Sequence, residues 1–129
     1  MPYLQLDVTK SYTVATKKLL AKCIGDVFSD IMQSDVHRVT VSIRELGRGS
    51  VWRCTEDDPK PGALLMCDIR VGRTPEKRAD VAKALIEVCK EILGLKTEEL
   101  NIEFTQHAGD EMYHPMMDGL SNDWSPDEI

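Results

Sequence analysis

The second residue of the chain is a proline directly after methionine, in the run Met1-Pro2-Tyr3. Removal of Met1, expected when a residue as small as proline follows, leaves Pro2 with a free secondary amine. A free α-amino group titrates at about 7.7–8.0, and the amine of proline starts higher. Burial in an apolar pocket and a nearby guanidinium each favour its neutral form. A neutral amine takes a proton from carbon alpha to a carbonyl and returns it elsewhere, which is tautomerisation. The ammonium form instead protonates carbon while water adds to an activated double bond, and the amine can also form an imine with an aldehyde or ketone. One residue type therefore permits three reactions.

Arg70 and Arg73, three positions apart, supply the second element of such chemistry. The planar guanidinium fork offers two parallel charge-assisted bonds to a small carboxylate. The alternative is a solvated pair with Asp68 or Glu76. Arg38, Arg44, Arg48 and Arg53 read as solvated charges, although one of them could reach a neighbouring subunit's pocket. His37, His107 and His114 form no ligand cluster, and the cysteines at 23, 54, 67 and 89 show neither CxxC nor CxxxxH spacing. No metal site and no cofactor is expected, and the thiols read as small buried groups in a reducing compartment.

Four periodic segments must position these residues. Tyr3–Val8 alternates around Leu4, Leu6 and Val8 as a strand does. From about Thr13 to Gln33, Leu20, Ile24, Val27 and Ile31 make a helical stripe, with Phe28 as core. Val39, Val41 and Ile43 alternate again, and residues 46–63, rich in Gly and Pro, form a connector. The order then returns. Leu64–Ile69 is strand-like, and Thr74-Pro75 opens a helix with a hydroxyl cap and a first-turn proline. That helix carries Val81, Leu85, Val88 and Ile92 and stops at Gly94, and Leu100, Ile102 and Phe104 mark a last strand. Displacing one half by 61 positions, Asp7 onto Asp68, aligns every element without a gap.

The expectation is an α/β fold in one domain, a tandem β-α-β repeat forming one four-stranded mixed sheet with two helices on one face. Its units run over residues 2–45 and 64–106, joined by the connector 46–63 and followed by a tail, 107–129. The uncovered sheet face points to oligomerisation. The tail, with Met116, Met117, Leu120 and Trp124, is expected to pack on a neighbouring subunit.

Among 129 residues there are 22 acids and 16 bases, and six of the acids follow Gln106 with no Lys or Arg beside them. The body is neutral and the tail acidic, which excludes the basic stripe that a nucleic acid partner requires. With no apolar run of membrane-spanning length and no basic-then-apolar leader, no membrane partner and a cytoplasmic location are expected.

The combination of Met1-Pro2, the β-α-β repeat and the strand–Gly72-Arg73-Thr74–helix junction resembles the tautomerase superfamily over roughly residues 2–107. That superfamily includes 4-oxalocrotonate tautomerase, the 3-chloroacrylic acid dehalogenases, malonate semialdehyde decarboxylase and macrophage migration inhibitory factor. The run Asp68-Ile69-Arg70-Val71-Gly72-Arg73-Thr74 is most similar to cis-3-chloroacrylic acid dehalogenase and its homologues. The resemblance implies that Pro2 is catalytic, that Arg70 and Arg73 bind the substrate carboxylate, and that three double-length chains assemble around a central channel as a homotrimer. The repeat puts Ala63 opposite Pro2 and Tyr12 opposite Arg73, so one half supplies the amine and the other the clamp. Against the dehalogenase, Phe28 stands in place of a helix histidine, Glu103 in place of a tyrosine, and His114 near a water-activating glutamate. His37 or Asp35 lies near the catalytic aspartate of the decarboxylase. Trp52 aligns near the apolar wall of small tautomerases, with plain packing as its alternative. The resemblance thus implies a tautomerase-like enzyme acting on a small 2-oxo or unsaturated carboxylate. The alternatives are a cofactor-free hydratase or dehalogenase of 3-haloacrylate-type substrates, a decarboxylase, or a cytokine-like binding protein with a vestigial site.

Overall fold

Alternation of apolar and polar residues becomes a two-faced sheet in the computed structural model, which describes residues 2–117, 119 and 120. Met1 and the tail residue Trp124 lie outside the described residues. The elements are β1 (Tyr3–Val8), α1 (Val14–Met32), β2 (Thr40–Glu45), β3 (Trp52–Arg53), β4 (Lys60–Pro61), β5 (Ala63–Arg70), α2 (Pro75–Leu93), β6 (Leu100–His107), β7 (Tyr113–His114) and β8 (Gly119–Leu120). The main sheet has the order β2-β1-β5-β6. Its outer pairs are parallel and its central pair, β1 with β5, is antiparallel, with Tyr3 opposite Asp68 and Asp7 opposite Leu64. The expected four-stranded mixed sheet with two helices on one face is the observed one.

Leu4, Leu6 and Val8 of β1 and Ala63, Leu65, Cys67 and Ile69 of β5 point toward the helices and are buried. They meet Leu20, Ile24, Phe28 and Met32 of α1 and Val81, Leu85, Cys89 and Leu93 of α2. The buried stripe therefore follows a four-residue spacing. Val27, Ile31, Val88 and Ile92 flank it half-buried, because each helix packs on both the sheet and its neighbour.

Both helices begin with a threonine cap. The Thr13 hydroxyl accepts from the Thr16 amide at 3.1 Å and that of Thr74 from Lys77 at 3.2 Å, satisfying amides that have no partner within the helix. Both end in a left-handed residue, Gln33 at φ 51° and Gly94 at φ 71°. The repeat extends to side-chain bonds. Lys17 meets Glu45 at 2.6 Å, and at the equivalent positions Arg78 donates to Gln106 at 3.1 Å.

Residues 46–63 hold more order than a connector needs. Trp52 and Arg53 pair with Pro61 and Lys60 in a hairpin. Tyr113 and His114, the equivalents of Trp52 and Arg53, pair with Leu120 and Gly119. The repeated unit is thus a β-α-β motif plus a hairpin, and the first part of the expected tail belongs to the second copy. Hydrophobic phase missed this because two-residue strands are too short to show a period.

The helix-free sheet face carries Tyr3, Gln5, Ser42, Met66, Asp68, Glu103 and His107, and Arg44 there grips Asp7 with two bonds at 2.7 and 2.8 Å. Cross-strand polar pairs satisfy much of this surface, so apolar burial alone does not demand a cover. The thiols also depart from expectation. Cys67 and Cys89 are buried, and burial pushes both up to about 12, but Cys23 is half-buried and Cys54 exposed. Among the described residues, no helix is long and apolar enough to cross a membrane.

Phe28 is the largest fully buried side chain. Phe28→Ala is expected to cost about 3–5 kcal/mol, read as a lower urea midpoint with an unchanged m-value.

Candidate functional site at the start of the first strand

Antiparallel pairing of β1 with β5 decides which residues share an end of the sheet. Continuing the register one residue beyond Tyr3–Asp68 sets Pro2 opposite Ile69, next to Arg70. Pro2 is buried, and its carbonyl accepts from the Thr40 amide at 3.1 Å, which ties the start of β1 to the start of β2. The C-terminus of α1, the N-terminus of α2 and the end of β6 lie at this same end, because each helix runs antiparallel to the strand before it.

Four half-buried arginines gather here, Arg38, Arg70, Arg73 and Arg78, the last donating from Nη1 to the Arg73 carbonyl at 2.7 Å. Arg70 closes β5. Arg73, in the loop before α2, donates from Nε and Nη2 to the Met32 carbonyl at 3.2 and 2.9 Å. That carbonyl belongs to the last turn of α1, where the helix dipole favours a cation. Burial, reinforced by the charge of Arg70, pushes Arg73 down to about 10, so it remains a cation at neutral pH. Arg38 ends the short 3-10 turn Val36–Arg38 that leads into β2. In sequence Arg38 reads as a solvated charge, whereas the fold half-buries it. Its position two residues before Thr40 was the available signal, but only the Thr40–Pro2 bond gives that position meaning.

Beside Arg70, His107 ends β6 on the helix-free face. Its Nε2 lies 3.1 Å from Asp68 Oδ1 and its Nδ1 3.4 Å from Glu111 Oε2. Tyr3, Asp68, His107, Glu111, Met112 and Tyr113 line a cleft of about 430 Å³. The remaining candidates separate. His114 is buried at 6% exposure, and its Nδ1 accepts from the Met116 amide at 3.2 Å, which leaves the proton of the neutral ring on Nε2. The His37 side chain is 86% exposed, with its Nδ1 2.8 Å from Asp35 Oδ1; Asp35 caps the turn by accepting from the His37 amide, and His37 faces solvent. Glu103 lies in mid-strand opposite Met66, exposed on the helix-free face. Trp52 lies at the other end of the sheet within the chain, 53% exposed, its indole N–H donating to the Gly49 carbonyl at 2.9 Å. At roughly 3.3 Å per residue, the length of β1 sets it about 20 Å from Pro2. The structure thus puts Pro2, Arg70, Arg73, Arg38 and His107 at one end of the sheet, and sets Trp52 at the other end, His37 in solvent and Glu103 in mid-sheet.

The two carboxylates, Asp68 first and then Glu111, hold the His107 imidazole above its ordinary value of 6.5. A raised folded-state value stabilises the fold at low pH, and this contribution is lost as pH rises through that value. The ring titration followed by NMR is expected to have a midpoint above 6.5, falling in Asp68→Asn. An unchanged midpoint in that variant removes Asp68 as the cause.

No protein-family model matches the sequence, and no curated protein matches it. Solved structures do match in fold. A member of the cis-3-chloroacrylic acid dehalogenase family superposes with a TM-score of 0.81 at 18% identity, covering 96% of this chain and 85% of that one. A fused 4-OT that forms a symmetric trimer gives 0.79 at 22% identity, covering 93% and 95%. A protein inactivated by 2-oxo-3-pentynoate gives 0.77 at 22% identity, again covering 93% and 95%. The chain therefore shares the fold of these solved structures over nearly its whole length.

Proposed function

We propose that the protein is a cofactor-free enzyme that uses the Pro2 amine, after removal of Met1, on a small 2-oxo or unsaturated carboxylate. The single observation that supports this reading is the β1–β5 register, in which Tyr3 pairs with Asp68, so that the start of β1 shares one end of the sheet with the end of β5 and the loop carrying Arg73. Arg70 holds the substrate carboxylate and Arg73 adds charge while capping α1. The arginines also disfavour a proton on the nearby amine, which suits a base. In the favoured reaction, tautomerisation, the Pro2 nitrogen takes a proton from carbon alpha to the carbonyl. The C–H electron pair then forms an enolate, and the proline ammonium returns the proton to a different carbon. Nothing is oxidised and no co-reactant is consumed.

A second reading, hydration or dehalogenation of a 3-haloacrylate, is favoured by the Arg70–Arg73 spacing and by the structural likeness to a cis-3-chloroacrylic acid dehalogenase family member. It needs a group to activate water; the acceptor nitrogen of His114 is already taken by the Met116 amide, so the role falls to His107, which ends β6 opposite Arg70. The likeness to a trimeric fused 4-OT supports a homotrimer with the helix-free faces turned inward.

Intact mass of natively processed protein tests the premise, since a retained Met1 leaves the Pro2 nitrogen an amide. With phenylenolpyruvate or 2-hydroxymuconate, Pro2→Ala is expected to lower kcat by about 10²–10⁴-fold. Arg70→Ala is expected to lower kcat/KM by about tenfold to a hundredfold, the value of a charge-assisted bond. Full activity in either variant removes that residue from the mechanism, and halide release from 3-haloacrylates favours the second reading.

A further inference from the structure

The duplication gives the sheet a second end equivalent to the proline end. There, Ala63 takes the place of Pro2, in mid-chain and without an amine. Antiparallel pairing sets the start of β5 beside the end of β1, and the hairpin β3–β4 leads directly into β5. This end holds a cavity of about 570 Å³, within the range of small-molecule sites. Its walls include Lys10 after β1, Arg53 and Lys60 facing each other across the hairpin, and Lys96, Glu98 and Glu99 before β6.

The wall is partly fixed. Arg53 Nη1 donates to the Glu98 carbonyl at 3.0 Å. Buried Gly62 lets the hairpin close on the loop before β6, since a Cβ there would lie 3.3 Å from Arg53 Cβ and 3.4 Å from the Glu99 carbonyl oxygen. Four cations against two carboxylates leave a surplus of two positive charges. Among the described residues, none of the four cations has an ion-pair partner, unlike Lys17, Lys22, Arg44 and Lys90. Like charges gathered around one concavity raise its potential, and an anion relieves that repulsion.

We propose that this second end is a non-catalytic binding site for a small dianion, a dicarboxylate or a phosphate ester. The equivalent positions have reversed their charges, Arg38 against Glu99 and Asp35 against Lys96, so this end recognises its ligand through lysines and Arg53 rather than through the proline end's arginines. The proposal rests on the cavity and its charges, and does not depend on the chemistry assigned to Pro2.

Calorimetric titration of the full chain with malonate, inorganic phosphate and acetate at low ionic strength tests it. Malonate or phosphate is expected to bind more tightly than acetate, and whichever binds better identifies the source of the dianion. The double variant Lys60→Gln/Lys96→Gln alters exposed side chains, with thermal melting as a check of folding. It is expected to weaken binding about tenfold or more, or ~1.4 kcal/mol, with turnover unchanged. Arg53→Ala is expected to act in the same direction, and Arg70→Ala to leave this binding intact. No binding of either dianion, equal affinity in the double variant, or loss of the heat in Arg70→Ala overturns the proposal.

Discussion

Everything in this molecule depends on the antiparallel pairing of β1 with β5. It joins the two halves through the first strand of each, and it sets Tyr3 opposite Asp68 and Leu6 opposite Leu65. Because the strands run in opposite directions, the start of one half lies beside the loop that follows the first strand of the other. Pro2 thereby lies at the end of the sheet where β5 finishes, and Ala63 at the end where β1 finishes. A slip of one residue would turn Asp68 and Arg70 onto the helix side and expose Cys67 and Ile69, so the buried face fixes the register and the register fixes the site.

The helices carry the same reciprocity. Arg73 donates to the Met32 carbonyl at the end of α1, and its equivalent Tyr12 donates to the Leu93 carbonyl at the end of α2 at 3.3 Å. Each half thus closes the other's helix, using a loop residue that follows its own first strand. Threonine caps, left-handed helix ends, the buried stripes and the second-turn cation bound to the end of a strand all occur in both copies. The copies diverge at the rims of the sheet: Pro2 against Ala63, Arg73 against Tyr12, Arg38 against Glu99, His114 against Arg53. A backbone that needs the same hydrogen bonds twice constrains the first set, whereas side chains at the rims of the sheet are free to change.

Arg73 joins the shared helix-closing bonds to a divergent side chain. Its two bonds to a helix carbonyl hold the guanidinium in a half-buried place beside Arg70, where burial costs it some basicity and yet leaves it charged at neutral pH. A lysine would offer a point charge without the fork that fits this geometry. Its half-buried place and helix-capping bonds distinguish Arg73 from the exposed Arg44, whose guanidinium is occupied by Asp7 on the helix-free face.

The sequence by itself determined the strands, the helices and the duplication. Period, caps and phase are local properties, and Leu4, Leu6, Val8, Thr74, Pro75 and Gly94 carry them in plain order. Only the tertiary structure decided which candidates share an end. Trp52 went to the far rim, His37 to solvent and Glu103 to mid-sheet, while Arg38 and His107 joined the proline end. The hairpins at 52–61 and 113–120 were equally hidden, since two-residue strands leave no periodic trace. The physical reason is the same throughout: contacts between residues remote in the chain are set by strand register and crossover direction, which no short window of sequence contains.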